Sequence, residues 1–398
     1  MARLAIERRS MAVLSAGHGV NDLAAGAIPA LLPFLVIQRH LSYASAAGLI
    51  LAFTIASSIG QPAFGHLADR SPRAWLMPAG ILISGVGIAL TGVVPGYSLT
   101  FLAAVLCGVG VAAYHPEAAR FANYVSGARR ATGISVFSVG GGIGFALGPA
   151  TITPLVLAFH LPGTAFMVLP SLVMVVLLLV EIPRLERFRL APPVMDRREG
   201  QRLREGWAPF ARLVAVAILR QVVYYALLAF APLYFVRVFL ALPARANLVL
   251  TAMLAAGALG TLAAGRLADR LGRKTALAGA LALVAVLVGI FTVSNQLVAA
   301  VVMIAAGAAI VGTFTTALVM GQEYLPANLG LASGLALGLP DGVGGISAPL
   351  LGAVADHAGL RTALQVSALV AVVAVGLALT LPKAATSSSD GALAREHA

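Results

Sequence analysis

The chain has 398 residues, of which 60% are hydrophobic and only 11% charged, and its mean hydropathy of +0.94 excludes a water-soluble globule, which would leave a large apolar surface exposed. A formal charge of +12 invites a nucleic-acid reading, but no aromatic stacking platform accompanies it and no nucleic-acid partner is expected. Cys107 is the one cysteine, which rules out a disulfide framework, and a lone Cys in an apolar helix is a packing residue.

A hydrocarbon core of roughly 30 Å takes about 20 apolar residues per helix, so this length holds about 12 spans with short connections. Apolar runs between polar or Gly/Pro breaks predict spans over 11–37, 44–67, 74–94, 97–119, 130–157 and 161–182, then over 208–237, 245–268, 275–293, 297–321, 329–355 and 360–382. The runs are continuously apolar, unlike the alternating strands of a membrane barrel. The expected fold class is therefore all-α and integral to the membrane, with two pseudo-symmetric six-helix bundles over 1–183 and 208–383, a linker over 184–207 and a disordered tail over 384–398. The N-terminal apolar run is too long for a cleaved signal peptide and continues as the first span.

An ionisable group inside a membrane costs several kcal/mol unless it faces a cavity or a partner, so each is a candidate for function. In the first span His18, Asn21 and Asp22 stand at i, i+3 and i+4, read as one stripe of one helix. Asp22 and His18 suit proton exchange as a cavity opens to alternate sides, or a static polar clamp to a neighbouring helix, and Asn21 suits a solute. After the second span comes Gly65-His66-Leu67-Ala68-Asp69-Arg70-Ser71-Pro72-Arg73, a tight charged turn whose acid and bases suit a latch. Span four closes on Tyr114-His115-Pro116-Glu117 and Arg120, where Pro116 loosens the backbone and leaves His115 as a solute contact. Glu117 and Arg120, one turn apart, form a gate or a capped helix end. His-Pro-Glu lacks the His-Glu-x-x-His spacing of a zinc protease, and no metal is expected.

In span five Gly140-Gly141-Gly142-Ile143-Gly144 fails the dinucleotide-loop template, because Phe145 or Leu147 stands where the third glycine belongs. Gly140, Gly144 and Gly148, four apart and followed by Pro149, instead make a helix-packing face. The second half places Arg220 and Gln221 deep in span seven with Tyr224 and Tyr225 after them, a planar cation beside aromatic hydroxyls that suits a phosphonate, phosphate or carboxylate. An internal ion pair of Arg220 with Asp341 or Asp22 is the other reading. Asp341 in span eleven is the second acidic candidate for the proton, and Glu323 closes span ten as a gate residue. The charged turn returns as Gly265-Arg266-Leu267-Ala268-Asp269-Arg270-Leu271-Gly272-Arg273, and Gly344 and Pro349 repeat the glycine-proline face, each 200 positions on. Such a duplication fits the parallel-repeat plan of secondary transporters, with a solute site between the halves.

Several elements together carry a family resemblance: His18-x-x-Asn21-Asp22, Gln61-Pro62-x-x-Gly65-x-x-x-Asp69, Pro72-x-x-Trp75, His115-Pro116-Glu117-x-x-Arg120, Ser135-x-Phe137-x-Val139-Gly140-Gly141, Gly148-Pro149 and Met320-Gly321-Gln322. On these the chain resembles the fosmidomycin-resistance group of the major facilitator superfamily. The resemblance implies a proton-driven exporter of drug-like solutes in a bacterial inner membrane, with the proton gradient as its energy source and no cofactor. Gly144-x-x-x-Gly148-Pro149 is similar to the antiporter motif of span five. Symport of an organic anion into the cell is the same-fold alternative. A sensor or enzyme lacks a loop large enough to house its domain. With an even span count, lysines and arginines gather on the side of both termini, and only Arg39, Arg237, Arg245 and Arg361 fall opposite, so both termini are expected in the cytoplasm. The expected partners are a small-molecule solute and membrane lipids, and the chain is expected to act as a monomer.

Overall fold

The computed structural model describes residues 5–70, 73–127, 129–188, 206–326 and 328–382. Among them are 12 helices long and apolar enough to cross a membrane. In the first half these are α1 Arg8–Gln38, α2 Tyr43–Arg70, α3 Leu76–Val93, α4 Gly96–Val125, α5 Arg130–Phe159 and α6 Val168–Glu186, the last entered through a 3-10 turn over Leu161–Met167. The second half has α7 Trp207–Arg237, α8 Pro243–Leu271, α9 Arg273–Val293, α10 Gln296–Tyr324, α11 Leu329–Ala358 and α12 Leu360–Leu379.

Several helix boundaries differ from the sequence reading, two of them at the ends of α4 and α6. α4 runs on to Val125 through Pro116, so His115, Glu117 and Arg120 stand inside a helix and not at its end. α6 continues to Glu186 because Arg184 pairs with the buried Glu181 one turn back, at 3.8 Å, so Arg184 belongs to the helix and not to a linker starting at 184. The rest of that linker, over 189–205, and the tail from 383 onward lie outside the described residues.

The duplication is visible in the backbone as well as in the motifs. His40 and Leu240, 200 positions apart, both take a left-handed conformation, with φ of 52° and 55°, in the turns that follow α1 and α7. Neither is glycine, so each turn carries the same local strain, imposed by the need to reverse the chain between two packed helices within a few residues.

Where the halves meet is decided by small residues. A Cβ on Gly352 of α11 would strike the Ala44 backbone of α2, one on Gly345 would strike Thr54, and one on Gly342 would be in ordinary contact with Ser58 at 3.8 Å. Further along the same pair of helices, Gly338 and Gly334 have no described atom within 4 Å of such a Cβ. The helices thus diverge toward the face that carries α1's start and α12's end. The apolar core follows the same pattern. One buried cluster joins residues of both halves, among them Phe34, Ile50, Phe230 and Leu351. Toward the terminal face it gives way to two separate clusters, one around Tyr114 and Phe121 and one around Phe210 and Met320. The molecule is a wedge, closed at the far face and parted at the terminal one.

Polar latches hold the closed end. Asp356 of α11 accepts from the amides of Tyr43 and Ala44 at the start of α2, at 2.7 and 3.0 Å, where a carboxylate meets both free N–H groups and the positive end of the helix dipole. Asn247 of α8, 1% exposed, donates to the Ala30 carbonyl of α1 and to the Thr153 hydroxyl of α5, at 3.0 and 2.8 Å.

Candidate functional site

Two polar clusters lie at similar depth, one in each half. In the first, His18 and Asp22 of α1 meet His115 of α4. The His18 Nε2 lies 3.3 Å from one Asp22 oxygen, the His115 Nε2 lies 3.3 Å from the other, and the two Nε2 atoms are 3.1 Å apart. Both Nδ1 atoms face backbone carbonyls, His18 that of Phe137 at 2.9 Å and His115 that of Val111 at 2.8 Å. A carbonyl only accepts, so each Nδ1 carries the hydrogen and donates it. The His18 ring also stacks on Phe137, with centroids 4.2 Å apart. Space for the cluster is kept by Gly141 of α5, where a Cβ would come within 2.5 Å of the His18 Nε2 and 2.8 Å of an Asp22 oxygen.

Asn21 is not part of this cluster, contrary to the single stripe read from the sequence. Successive helical residues turn by about 100°, so positions i+3 and i+4 fall on opposite sides of position i. Asp22 turns toward α4 while Asn21, fully buried, accepts from the Ser84 hydroxyl of α3 at 3.0 Å and ties α1 to its neighbour. The Asn21 Nδ2 has no hydrogen-bond partner among the described residues, so this placement takes Asn21 out of the histidine cluster without removing it as a solute contact. His115, in contrast, joins the groups expected to exchange protons.

The second cluster belongs to α7, α10 and α11. Arg220 is 1% exposed and lies with its guanidinium carbon 3.5 Å from the centre of the Phe314 ring of α10, a cation held over an aromatic face. One Nη2 hydrogen goes to the Gln221 amide oxygen at 3.1 Å, and among the described residues the Arg220 Nε and Nη1 have no hydrogen-bond partner. Gln221 then donates to Asp341 at 2.6 Å, and the Tyr225 hydroxyl donates to the same oxygen at 3.1 Å. Arg220 and Asp341 are therefore linked through Gln221. The Tyr224 ring lies 5.7 Å from Phe314 and from Tyr225. Phe314 had no polar signature in the sequence and could not have been singled out there.

The charged segments are not the tight turns expected from the sequence: α2 runs helically through Gly65 to Arg70 and α8 through Gly265 to Leu271, so neither glycine bends the chain. The side chains of Asp69 and Arg70 lie outside what the structure describes. The Arg73 amide donates to the fully buried Glu117 at 2.9 Å, and Arg120 approaches Glu117 at 3.9 Å, so these three tie the loop after α2 to α4 within one half. In the other half Arg273 pairs with Glu323, while Asp269 and Arg270 are exposed. Gly140, Gly144 and Gly148 press directly on α1, their Cβ positions falling on backbone atoms of Ser15, Gly19 and Ala27. Gly344 presses on the side chains of Gln221 and Tyr225, and Pro149 and Pro349 lie inside α5 and α11.

Twelve apolar helices in a duplicated, wedge-shaped array around buried charge are the architecture of a multi-pass membrane transporter. Comparison with known proteins agrees. The sequence profile of the Major Facilitator Superfamily matches residues 14–337 and 239–396, and the chain belongs to that superfamily. It is 29% identical to the fosmidomycin resistance protein of Escherichia coli over 90% of this chain and 89% of that one. An uncharacterised transporter of the superfamily from Bacillus subtilis is 28% identical over 92% and 90%. Among solved structures, the nucleoside transporter NupG superposes with a TM-score of 0.77 at 15% identity, covering 94% of this chain and all of that one. A bacterial homologue of the human lysosomal transporter Spinster, inward-facing and occupied, gives 0.78 at 15% identity, covering 94% and 96%. The xylose transporter XylE of E. coli, inward-open, gives 0.73 at 15%, covering 95% and 97%. At such identities these neighbours speak for the fold.

Proposed function

We propose that the chain exports small anionic solutes, phosphonate-like drugs or metabolites, from the cytoplasm by proton antiport with alternating access. The observation that carries this reading is Arg220: a permanent cation, buried, whose Nε and Nη1 are left without partners among the described residues. Unmatched donors on a buried charge are costly unless a ligand completes them, and an oxyanion does so with the geometry a guanidinium favours. Tyr224 and Tyr225 line the same place. The printed name of the E. coli relative, a resistance protein for one drug, supports efflux as the direction. The arginine-rich terminal face is cytoplasmic in this reading, so the open wedge admits solute from inside.

Coupling follows from the link through Gln221. A solute anion that occupies Arg220 withdraws the cation from Asp341 and so favours a proton there; on this link solute and proton bind together, the sign that favours the second reading, symport of the anion, whereas antiport needs the proton to displace the solute. Among the described residues, Arg220, Gln221, Tyr224 and Tyr225 of α7 face Asp341, and from α2 the neutral Thr54 and Ser58 come near the flanking glycines. Asp341 is thus the group through which proton and solute sense each other.

Inverted membrane vesicles test the reading. With an acid interior, the vesicles accumulate a phosphonate, and a protonophore abolishes the gain. Arg220→Ala weakens the apparent affinity at least tenfold, as losing charged hydrogen bonds worth about 1.5–3 kcal/mol requires. Asp341→Asn retains exchange of solute without a gradient and loses accumulation. Expulsion of preloaded solute by the same acid interior makes the chain a symporter that imports the anion. Solute binding with no flux under any gradient makes it a sensor.

A further inference from the structure

We infer that His18, Asp22 and His115 form a binding site for one divalent transition-metal ion of the zinc or cobalt class. The three ligand atoms lie within 4.8 Å of one another. Their arrangement is set by hydrogen bonds that leave nothing else for them to do. Both Nδ1 hydrogens are spent on the carbonyls of Phe137 and Val111, so in the neutral rings both Nε2 lone pairs point into one small space together with a carboxylate. Three acceptors converge there and no donor is among them. A cation satisfies all three at once, whereas a water has only two hydrogens to donate.

The distances separate the two cations available. Charge-assisted N–H···O bonds close to about 2.7–2.9 Å, whereas both imidazole-to-carboxylate distances are 3.3 Å. Tetrahedral zinc, with ligands at about 2.0–2.2 Å, separates neighbouring ligand atoms by roughly 3.3 Å. The two Nε2 atoms are 3.1 Å apart and each lies 3.3 Å from a different oxygen of Asp22, three spacings close to the edge of such a tetrahedron. The outer contacts match as well: metal-bound imidazoles donate their second N–H to a carbonyl or carboxylate, which fixes the tautomer, and here both do. Two imidazoles and one carboxylate favour borderline divalent transition metals over calcium or magnesium, which take oxygen ligands, and over copper(I), which takes sulfur. The side chains are 11%, 18% and 24% exposed for His18, Asp22 and His115, leaving a further coordination position open to water. Both helices that supply ligands belong to the first half, so the ion does not bridge the halves and persists as they rock. Nothing in this site depends on the transport reading.

The test uses full-length protein purified without a polyhistidine tag, stripped with a chelator and titrated with cobalt(II) chloride. The expected result is a saturable, intense absorption of four- or five-coordinate cobalt, a single ion per chain, displaced by zinc chloride. His115→Ala removes a ligand and lowers affinity by more than the ~10–100-fold typical of losing an outer contact. Gly141→Ala keeps all three ligands and places a methyl group against the His18 Nε2, and affinity falls at least tenfold. A wild-type spectrum no different from aqueous octahedral cobalt overturns the site, and so does a bound spectrum that survives both substitutions. The wild-type spectrum reports coordination by itself, so a variant that fails to fold leaves the test intact.

Discussion

The seam between α1 and α5 and its counterpart between α7 and α11 occupy the same place in the two halves, yet they are built differently. In the first, Gly140, Gly144 and Gly148 bring backbone against backbone, and the carboxylate, Asp22, comes from the first helix of the pair. In the second, the residue matching Gly141 is Asp341, so the carboxylate has moved to the other helix, and Gly344 rests on the side chains of Gln221 and Tyr225. Backbone contacts cannot rearrange without moving a whole helix, whereas side chains change rotamer at modest cost. The duplicated fold has therefore been given one rigid seam, holding imidazoles at fixed distances, and one adaptable seam, holding an arginine whose partners can be exchanged.

The sharpest way to break this contrast is to add the same methyl group to each seam. Gly144→Ala, pressed on the Gly19 backbone, is expected to cost about 3 kcal/mol, the upper end for overpacking, and to lower the Tm in detergent substantially. Gly344→Ala, pressed on two movable side chains, costs less stability but disturbs the Asp341 contacts and weakens solute affinity. Equal Tm losses in the two variants would show that the seams are alike. Next in size, Tyr225→Phe removes one hydrogen bond to Asp341, about 1.5 kcal/mol for a charged acceptor, with an approximately tenfold change in solute affinity and an unchanged Tm; an unaltered affinity in direct binding counts against a role for that hydroxyl.

Asp356→Asn acts on the closed end and not on either seam. It weakens a carboxylate contact with the start of α2 worth about 0.3–1 kcal/mol and shifts the population toward separation of that face. Distances between spin labels beside Tyr43 and Asp356 should broaden to longer values, and an unchanged distribution would mean that the apolar contacts alone hold the closure. The smallest effect belongs to Glu7, which caps α1 through the Ser10 amide at 2.5 Å. Burial pushes its carboxyl up, but the Ser10 hydrogen bond and the charges of Arg184 and Arg9 outweigh this and hold it below the usual value. A lowered value means stability that is present above the unfolded carboxylate range and lost as pH falls through the folded one. Glu7→Gln should therefore cost about 0.5 kcal/mol at neutral pH and flatten the decline of Tm between roughly pH 5 and 3; parallel Tm curves for the two proteins would remove the cap from the account.

Most of the architecture was legible because lipid punishes any other arrangement of so apolar a chain. The 200-residue offset, visible in the Asp69 and Asp269 segments, also predicted where structure would repeat. What could not be read were meetings between distant helices. His115 was placed apart from His18 because 97 positions separate them and nothing local signals that α1 and α4 touch there. The spacing of Asn21 and Asp22 from His18 marks a shared side of the helix without saying which flank each residue takes. Phe314 is one phenylalanine among 16, and only the fold sets it beneath Arg220. The left-handed turns at His40 and Leu240 were equally silent, since neither residue is a type that advertises that conformation.

The aromatic ring under Arg220 has a stereochemical consequence. With one flat side covered, the guanidinium can be approached chiefly along its rim, where hydrogen-bond donors point outward in fixed directions. A spherical halide meets one or two of them at poor angles, while a branched oxyanion aligns several at once. If Arg220 takes the proposed anionic solute, this shape favours a branched oxyanion over chloride.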